Sequence, residues 1–181
     1  TSYGTLSIVK IGTGTLTLTG TSANSYTGTT TVEAGRLHLN KSSGVVAVNG
    51  DLTISGGYVT FGNDEQIANT ATVTMSGSSS ALNGTGPNVG HRENQVETIA
   101  KLIITGGAFT TGSKSTWTIS GQGSFTGGTG NTVFVGSSGS QISFKSLEIT
   151  AMNATAGGAV GTSNSFTLYG SVSQRTTLTV G

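Results

Sequence analysis

The side chains that could perform acid–base chemistry are few in this chain, and they are spread along its length. Only 7 of the 181 residues are acidic. Cleavage of a polysaccharide needs carboxylates clustered on one face, or carboxylates beside Lys or Arg. Asp64 and Glu65 are the only adjacent acidic pair, and neighbours in a strand point to opposite faces. As a loop pair they could bind a cation weakly, but a solvated turn is the interpretation we favour.

We therefore expect a protein without enzymatic activity, cofactor or metal site. The absence of Cys removes disulfides, thiolate metal sites and thiol nucleophiles together. The segment Gly12-Thr13-Gly14 resembles a phosphate-binding loop only superficially, because no helix is predicted after it. A polysaccharide-cleaving enzyme is the least favoured of three functional hypotheses.

One polar segment could bind a ligand. The residues His91, Arg92, Glu93 and Asn94 form the densest polar cluster of the chain, within the longest predicted excursion between strands, residues 82–96. Loops on rigid scaffolds often carry recognition residues, although a solvated excursion is the more common role. Both interpretations stay open, and His91, Arg92 and Glu93 are candidate ligand-binding residues.

Aromatic side chains could also form a platform for sugars. In a stacked β structure they more often fill interior ladders, and we expect this of most aromatic residues here. Tyr58 is the exception, because it faces outward if Val59 and Phe61 point inward. Tyr58 is therefore the fourth candidate ligand-binding residue, and host or environmental glycans or surface proteins are the candidate partners.

The charge and hydropathy patterns exclude two classes of partner. The chain has 8 basic residues and a net charge of +1, and the basic residues are dispersed. Without a basic stripe, we expect no binding to a nucleic-acid backbone. No apolar run approaches the roughly 20 residues of a membrane-spanning helix, so we expect no direct membrane insertion of this segment.

The composition predicts short strands joined by tight turns. The chain contains 30 Gly, 1 Pro and only 8% charged residues, and Ser and Thr make up roughly a third of it. Thr favours strands because its branched side chain fits a pleated surface, whereas Gly and Ser favour turns. No window has apolar residues at helical spacing, so helix is nearly excluded.

One short unit recurs along the chain. It has the form apolar-x-apolar-(Ser/Thr)-Gly, and clear copies begin at Leu16, Leu52, Val73, Leu102 and Trp117. Alternate residues of a strand face the same side, so each copy buries two side chains and exposes one. The Ser/Thr-Gly pair then ends the strand, and we expect Gly to supply backbone angles that other residues avoid.

Two architectures use many such strands, a β-sandwich and a stacked solenoid. A sandwich would favour longer alternations and hairpin turns; the pairs Asn49-Gly50 and Asn83-Gly84 keep that alternative open. The very short, repeated strands favour a solenoid with coils of roughly 20 to 25 residues, which gives about eight coils. Low charge fits this arrangement, because like charges in successive coils would stack about 4.8 Å apart.

Residues 8–39 carry a more specific pattern. They read Lys10-x-Gly12-x-Gly14-x-Leu16-x-Leu18-x-Gly20, then Asn24-x-Tyr26-x-Gly28-x-Thr30-x-Val32, then Gly35-x-Leu37. This pattern closely resembles the autotransporter-associated β-strand repeat. A second segment, Glu97-Thr98-Ile99 followed by Gly106-Gly107, resembles a phrase common in giant surface proteins that carry these repeats.

The resemblance implies a right-handed parallel β-helix in the exported region of a large bacterial cell-surface protein. Such proteins are adhesins, stalks and occasionally carriers of separate catalytic modules. The repeat itself has no catalytic residues to carry over. It implies structural roles instead, with Leu16, Leu18 and Val32 pointing inward and Tyr26 packed in a turn.

The sequence thus predicts an all-β protein, a right-handed parallel β-helix or solenoid of about eight coils. We expect residues 1–181 to be one β-helical segment cut from a longer protein, whose neighbouring coils are its first partners. The expected location is extracellular or at the bacterial cell surface. The leading hypothesis is a structural or adhesive stalk segment, and the alternative is a glycan-binding module.

Overall fold

The computed structural model describes residues 5–83, 92–112, 114–126 and 141–150, together with the strands 132–134, 155–156, 165–168, 172–174 and 179–180. Every regular element in these residues is a β-strand, and none of them lies in a helix. The prediction of an all-β protein is confirmed.

The strands form two large sheets and one small one. The first sheet contains β1 (Ile8–Lys10), β3 (Thr30–Val32), β5 (Leu52–Ile54), β7 (Thr72–Met75), β9 (Val96–Ile99), β10 (Lys101–Ile104), β12 (Thr116–Thr126), β14 (Gln141–Thr150), β16 (Ser165–Leu168) and β17 (Val172–Gln174). The second sheet contains β2 (Thr15–Gly20), β4 (Arg36–Lys41), β6 (Tyr58–Phe61), β8 (Ala81–Leu82), β11 (Ala108–Thr110) and β13 (Thr132–Phe134). The small sheet pairs β15 (Thr155–Ala156) with β18 (Thr179–Val180).

All pairings between these strands are parallel. From β1 to β8 the strands of the two large sheets alternate along the chain, and each pairs with a strand from the next coil. A parallel β-solenoid results, as predicted, and the alternative of a sandwich built from hairpins is wrong. Crossover connections between parallel strands are right-handed in almost all proteins, in line with the predicted sense of the helix.

The coil length follows from the register of the first sheet. Ile8 pairs with Thr30, Thr30 with Leu52 and Leu52 with Val73, at intervals of 22, 22 and 21 residues. Val73 then pairs with Leu102, 29 residues on. The short intervals lie within the predicted range, and the long one contains the excursion predicted at residues 82–96.

The solenoid has about five turns, fewer than the eight predicted. The prediction divided the whole chain by one uniform coil length. The 29-residue interval from Val73 to Leu102 breaks that uniformity. After residue 150, moreover, the structure describes only the four short strands β15 to β18.

The core consists of ladders of apolar side chains. One ladder of the first sheet runs from Val32 through Ile54 and Met75 to Ile104 and Phe125, all of them buried. Full burial of such a side chain contributes about 1.5–3 kcal/mol. Because a coil contacts only its neighbours, these ladders join successive coils together with the backbone hydrogen bonds of the sheets.

An aromatic cluster fills the wider part of the core. The Trp117 ring lies edge-on to Phe61 and Phe109, with centroids 5.5 and 4.9 Å apart. All three are buried, as expected for interior aromatic residues. They come from β12, β6 and β11, so the cluster joins the two large sheets.

Most of the Ser/Thr-Gly turns require glycine for a reason other than the one predicted. Gly20 has a φ of +116°, as the expectation of special backbone angles requires. At Gly77, by contrast, φ is not positive, but a Cβ atom would overlap the carbonyl group of Ser55 in the preceding coil. The stacked backbones therefore leave no room for a side chain. The same steric limit holds at Gly56, Gly106 and Gly121.

Candidate functional site

The most varied chemical surface lies on the outward face of the second sheet. In β4 and β6, Arg36 is the register partner of Tyr58, and His38 is the register partner of Thr60. The intervening Leu37 and Val59, like the following Leu39, are completely buried. The other four side chains of these pairs therefore lie on the outer side of the sheet, where Thr60 is covered and the other three are partly exposed. We refer to Arg36, His38, Tyr58 and Thr60 as the outer cluster.

Hydrogen bonds hold the cationic part of the outer cluster in place. Arg36 donates through Nε to Thr60 Oγ1 at 2.7 Å, and its Nη2 lies 3.2 Å from His38 Nδ1. A guanidinium has no acceptor atom, so Nη2 donates and Nδ1 accepts. In the neutral ring the proton is then on Nε2. Burial, and secondarily the Arg36 charge, lower the pKa of His38, which favours this neutral form at pH 7.

Tyr58 is half-exposed and faces outward, as predicted from the burial of its neighbours. Along its column of the sheet, Arg36 lies on one side, and Ala81 and then Ala108 lie on the other. The two alanines project only a methyl group, so the surface is shallow on that side of Tyr58.

The predicted binding loop is partly anchored to the scaffold. Arg92 forms an ion pair with Asp64 and donates to Gln95 Oε1 at 2.8 Å. Glu93 is exposed. His91 lies outside the described residues. Tyr58 lies on β6, and Arg92 contacts Asp64, which follows β6 in the chain. Ligand binding by Tyr58, His91, Arg92 and Glu93 stays a prediction.

Asp64 lies in a bend outside the strands and is partly exposed, but unlike a freely solvated residue it has partners within the chain. Its carboxylate accepts hydrogen bonds from Arg92 and from the backbone N–H of Val96, the latter at 3.0 Å. Burial raises the pKa of Asp64, but these bonds and the Arg92 charge outweigh burial and lower it. The partner was not predictable, because Arg92 is 28 residues away in sequence. Among the described residues, no group of three or more His, Asp or Glu side chains could hold a metal ion.

A buried carboxyl group, Glu97, was missed from the sequence. It is completely buried and accepts hydrogen bonds from the backbone N–H groups of Gln66 and Ile67, at 3.1 and 2.8 Å. Gln95 Nε2 donates a third bond at 3.1 Å. Burial, and to a lesser extent the carboxylate of Glu65, raise the pKa of Glu97 to about 8 against these three donors.

The side chain of Glu97 takes the place of part of the backbone hydrogen-bond ladder between two coils. The backbone N–H of Glu65 still donates to Val96 O at 3.0 Å, but the next two N–H groups along the chain bond to the Glu97 side chain. Buried backbone N–H groups need such partners. The sequence did contain one indication of this burial. Glu97 and Ile99 are two residues apart in β9, so their side chains face the same side of the sheet, and Ile99 points inward.

Residues 8–39 include β1 to β3, the first four residues of β4 and the turns that join these strands. They match the family model of the passenger-associated-transport-repeat. The matched residues have the bounds of the segment that resembles the autotransporter-associated repeat, and they confirm that resemblance. Searches of curated proteins and of solved structures found no match to the chain.

Polar side chains within the matched segment hold its turns together. The ammonium group of Lys10, a buried residue, donates to the carbonyl oxygens of Ile11, Gly12 and Ala34 at 2.7, 2.7 and 3.0 Å. In the next turn, Asn24 Nδ2 and Tyr26 OH both donate to Ala47 O, at 2.7 and 3.0 Å. The predicted turn-packing role of Tyr26 is confirmed. No helix in the described part of the chain is long and apolar enough to cross a membrane.

Proposed function

We propose that the chain is a structural stalk segment in the exported region of an autotransporter-type surface protein, and that it has no catalytic role. The observation that carries the proposal is the passenger-associated-transport-repeat at residues 8–39 within a parallel β-solenoid. A solenoid suits a stalk because each coil contacts only its neighbours, so length can be added without a new core.

The distribution of charge supports the absence of catalysis. Where acidic residues come together, at Asp64 and Glu97, their oxygens accept hydrogen bonds from the chain itself. A general acid or base must instead be within reach of a substrate. The proposal includes an adhesive role only in the sense that the outward-facing side chains of the solenoid are the ones a partner could contact.

The stalk proposal predicts exposure on the cell. Antibodies raised against the chain should label intact cells of the bacterium that encodes it, and brief treatment of those cells with protease should remove the label. An antibody against a cytoplasmic protein is the control and should label only permeabilised cells. Labelling by both antibodies only after permeabilisation would contradict the proposal.

A second candidate function is glycan binding, and the position of Tyr58 favours it. Tyr58 faces outward, with Arg36 on one side of it in the sheet and Ala81 and Ala108 on the other. Aromatic rings and planar hydrogen-bonding groups are suited to sugar recognition, because a sugar has both an apolar face and hydroxyl groups. A glycan array is the first test, and binding above background that is lost in Tyr58→Ala would support it.

A further inference from the structure

The outward face of the second sheet has a single charge. Its strands contain two charged residues, Arg36 and Lys41. Lys41 is buried, and its ammonium group donates to Thr19 O and Ser22 O at 3.1 and 2.8 Å. Arg36 is thus the only cation that this face presents to solvent, within the part of the sheet whose side chains are described.

Among the described residues, the ion pair is the one between Arg92 and Asp64. Arg36 therefore has no acidic partner among them. Its hydrogen bonds are to Thr60 and His38, which are both neutral at pH 7. A guanidinium has five N–H donors, and these two bonds leave donors for an external acceptor. The two bonds also fix the guanidinium in position, which lowers the entropy lost when a ligand binds.

The remaining groups of the outer cluster extend the same donor surface. His38 Nδ1 lies within hydrogen-bond distance of Arg36 Nη2 and of Thr60 Oγ1, the latter at 3.0 Å, so the proton of the neutral ring is on Nε2. Tyr58 adds a ring face and a hydroxyl group next to Arg36. On the other side of Tyr58, Ala81 and Ala108 leave the surface low, so a flat group could lie there without a clash.

We propose that the outer cluster binds a carboxylate-bearing sugar of an acidic polysaccharide, with Arg36 pairing with the carboxylate and the sugar ring resting against Tyr58 above Ala81. The proposal deepens the second candidate function and rests on it. Arg is suited to a carboxylate because its planar fork donates two parallel hydrogen bonds. A single cation argues against nucleic acid, which needs an array of basic residues.

The experiment is a titration of the isotopically labelled chain, followed by its amide NMR shifts. The probes are an oligogalacturonate, its fully methyl-esterified form and an oligoglutamate peptide. The methyl ester keeps the sugar rings and loses the charge, whereas the peptide keeps the carboxylates and loses the rings. The variants are Arg36→Met, Tyr58→Ala and, as a matched control, Lys101→Met, which removes one positive charge from the first sheet.

We expect the oligogalacturonate to shift amides of β4 and β6 and to bind at least tenfold more tightly than either other probe. Arg36→Met should weaken that binding at least tenfold and Tyr58→Ala at least threefold, whereas Lys101→Met should change it less than twofold. If Arg36→Met does not fold, Arg36→Lys replaces it; this variant keeps the charge without the planar fork, and at least a threefold loss is expected.

Several results would overturn the proposal. Equal binding of the ester would preserve glycan binding but refute the preference for an acid. Equal binding of the peptide, or an equal loss in Lys101→Met, would reduce the interaction to non-specific charge attraction. If neither sugar probe binds, the acidic-sugar site is refuted. If the glycan array also shows no binding, the second candidate function is refuted too.

Discussion

Gly77→Ala is expected to lower the free energy of unfolding by about 3 kcal/mol or more, or to prevent folding. The added methyl group would overlap the carbonyl group of Ser55, and its Cβ would lie 2.7 Å from Ser80 Oγ. Neither contact can relax freely. Ser76 N donates to Ile54 O at 3.0 Å and Ser80 Oγ donates to the same oxygen at 2.9 Å, so separating the two coils would break these bonds.

Gly14→Ala is the matched control for this prediction. A Cβ at Gly14 meets no atom within 4 Å, and the φ of Gly14 is not positive. The substitution should leave stability unchanged or raise it by up to about 1 kcal/mol, because alanine restricts the unfolded chain more than glycine does. Urea unfolding followed by circular dichroism measures both variants. If they differ by less than about 0.5 kcal/mol, the backbones do not stack as closely as described.

The second large effect concerns pH and Glu97. Burial raises the pKa of Glu97 to about 8 in the folded protein, whereas an unfolded Glu has a pKa of about 4.3. Between these values the folded protein keeps a proton that the unfolded chain has lost, so the free energy of unfolding falls as pH rises. The contribution of Glu97 is fully present below about pH 4, and up to about 5 kcal/mol is lost by pH 8.

Glu97→Gln isolates this contribution from other titrating groups, such as His38 and Asp64. The variant is neutral at every pH, but its amide must turn one N–H group towards the donors that surround Glu97. We expect the protein to be more stable than Glu97→Gln at pH 5 and this advantage to shrink or reverse by pH 9.

The control for Glu97→Gln is the exposed Glu33→Gln, whose difference from the protein should stay constant within about 0.5 kcal/mol. Urea unfolding at five pH values from 5 to 9 gives both comparisons. A constant difference for Glu97→Gln would refute a raised pKa for Glu97.

The sequence was sufficient for the repeating part of the fold. The apolar-x-apolar pattern of segments such as Leu52–Ile54 predicts which side chains point inward, and period two is a local property of any strand. Tyr58 was correctly expected to face outward for the same reason. Local spacing alone could not distinguish parallel stacked coils from a β-sandwich. The resemblance carried by residues 8–39 indicated the parallel arrangement.

Contacts between coils were beyond the sequence. The pairing of Arg92 with Asp64, and of Glu97 with the N–H groups of Gln66 and Ile67, depends on how the long fourth coil returns to the stack. Local periodicity carries no information on that register. The steric role of Gly77 was missed likewise, because the carbonyl that excludes a side chain belongs to the preceding coil.

Disulfide formation between designed cysteines tests the parallel stacking most directly, because the natural chain has no Cys. Thr53 in β5 and Thr74 in β7 are outward-facing register partners, and Thr31 in β3 is one strand further away. Adjacent strands lie about 4.8 Å apart, within the Cα separation that a disulfide spans, whereas two strand spacings exceed it. The stacking predicts that the Thr53→Cys/Thr74→Cys variant oxidises to an intramolecular disulfide, detected by mass spectrometry, and that Thr31→Cys/Thr74→Cys does not. Failure of the first pair to oxidise, or equal oxidation of both pairs, would contradict the solenoid.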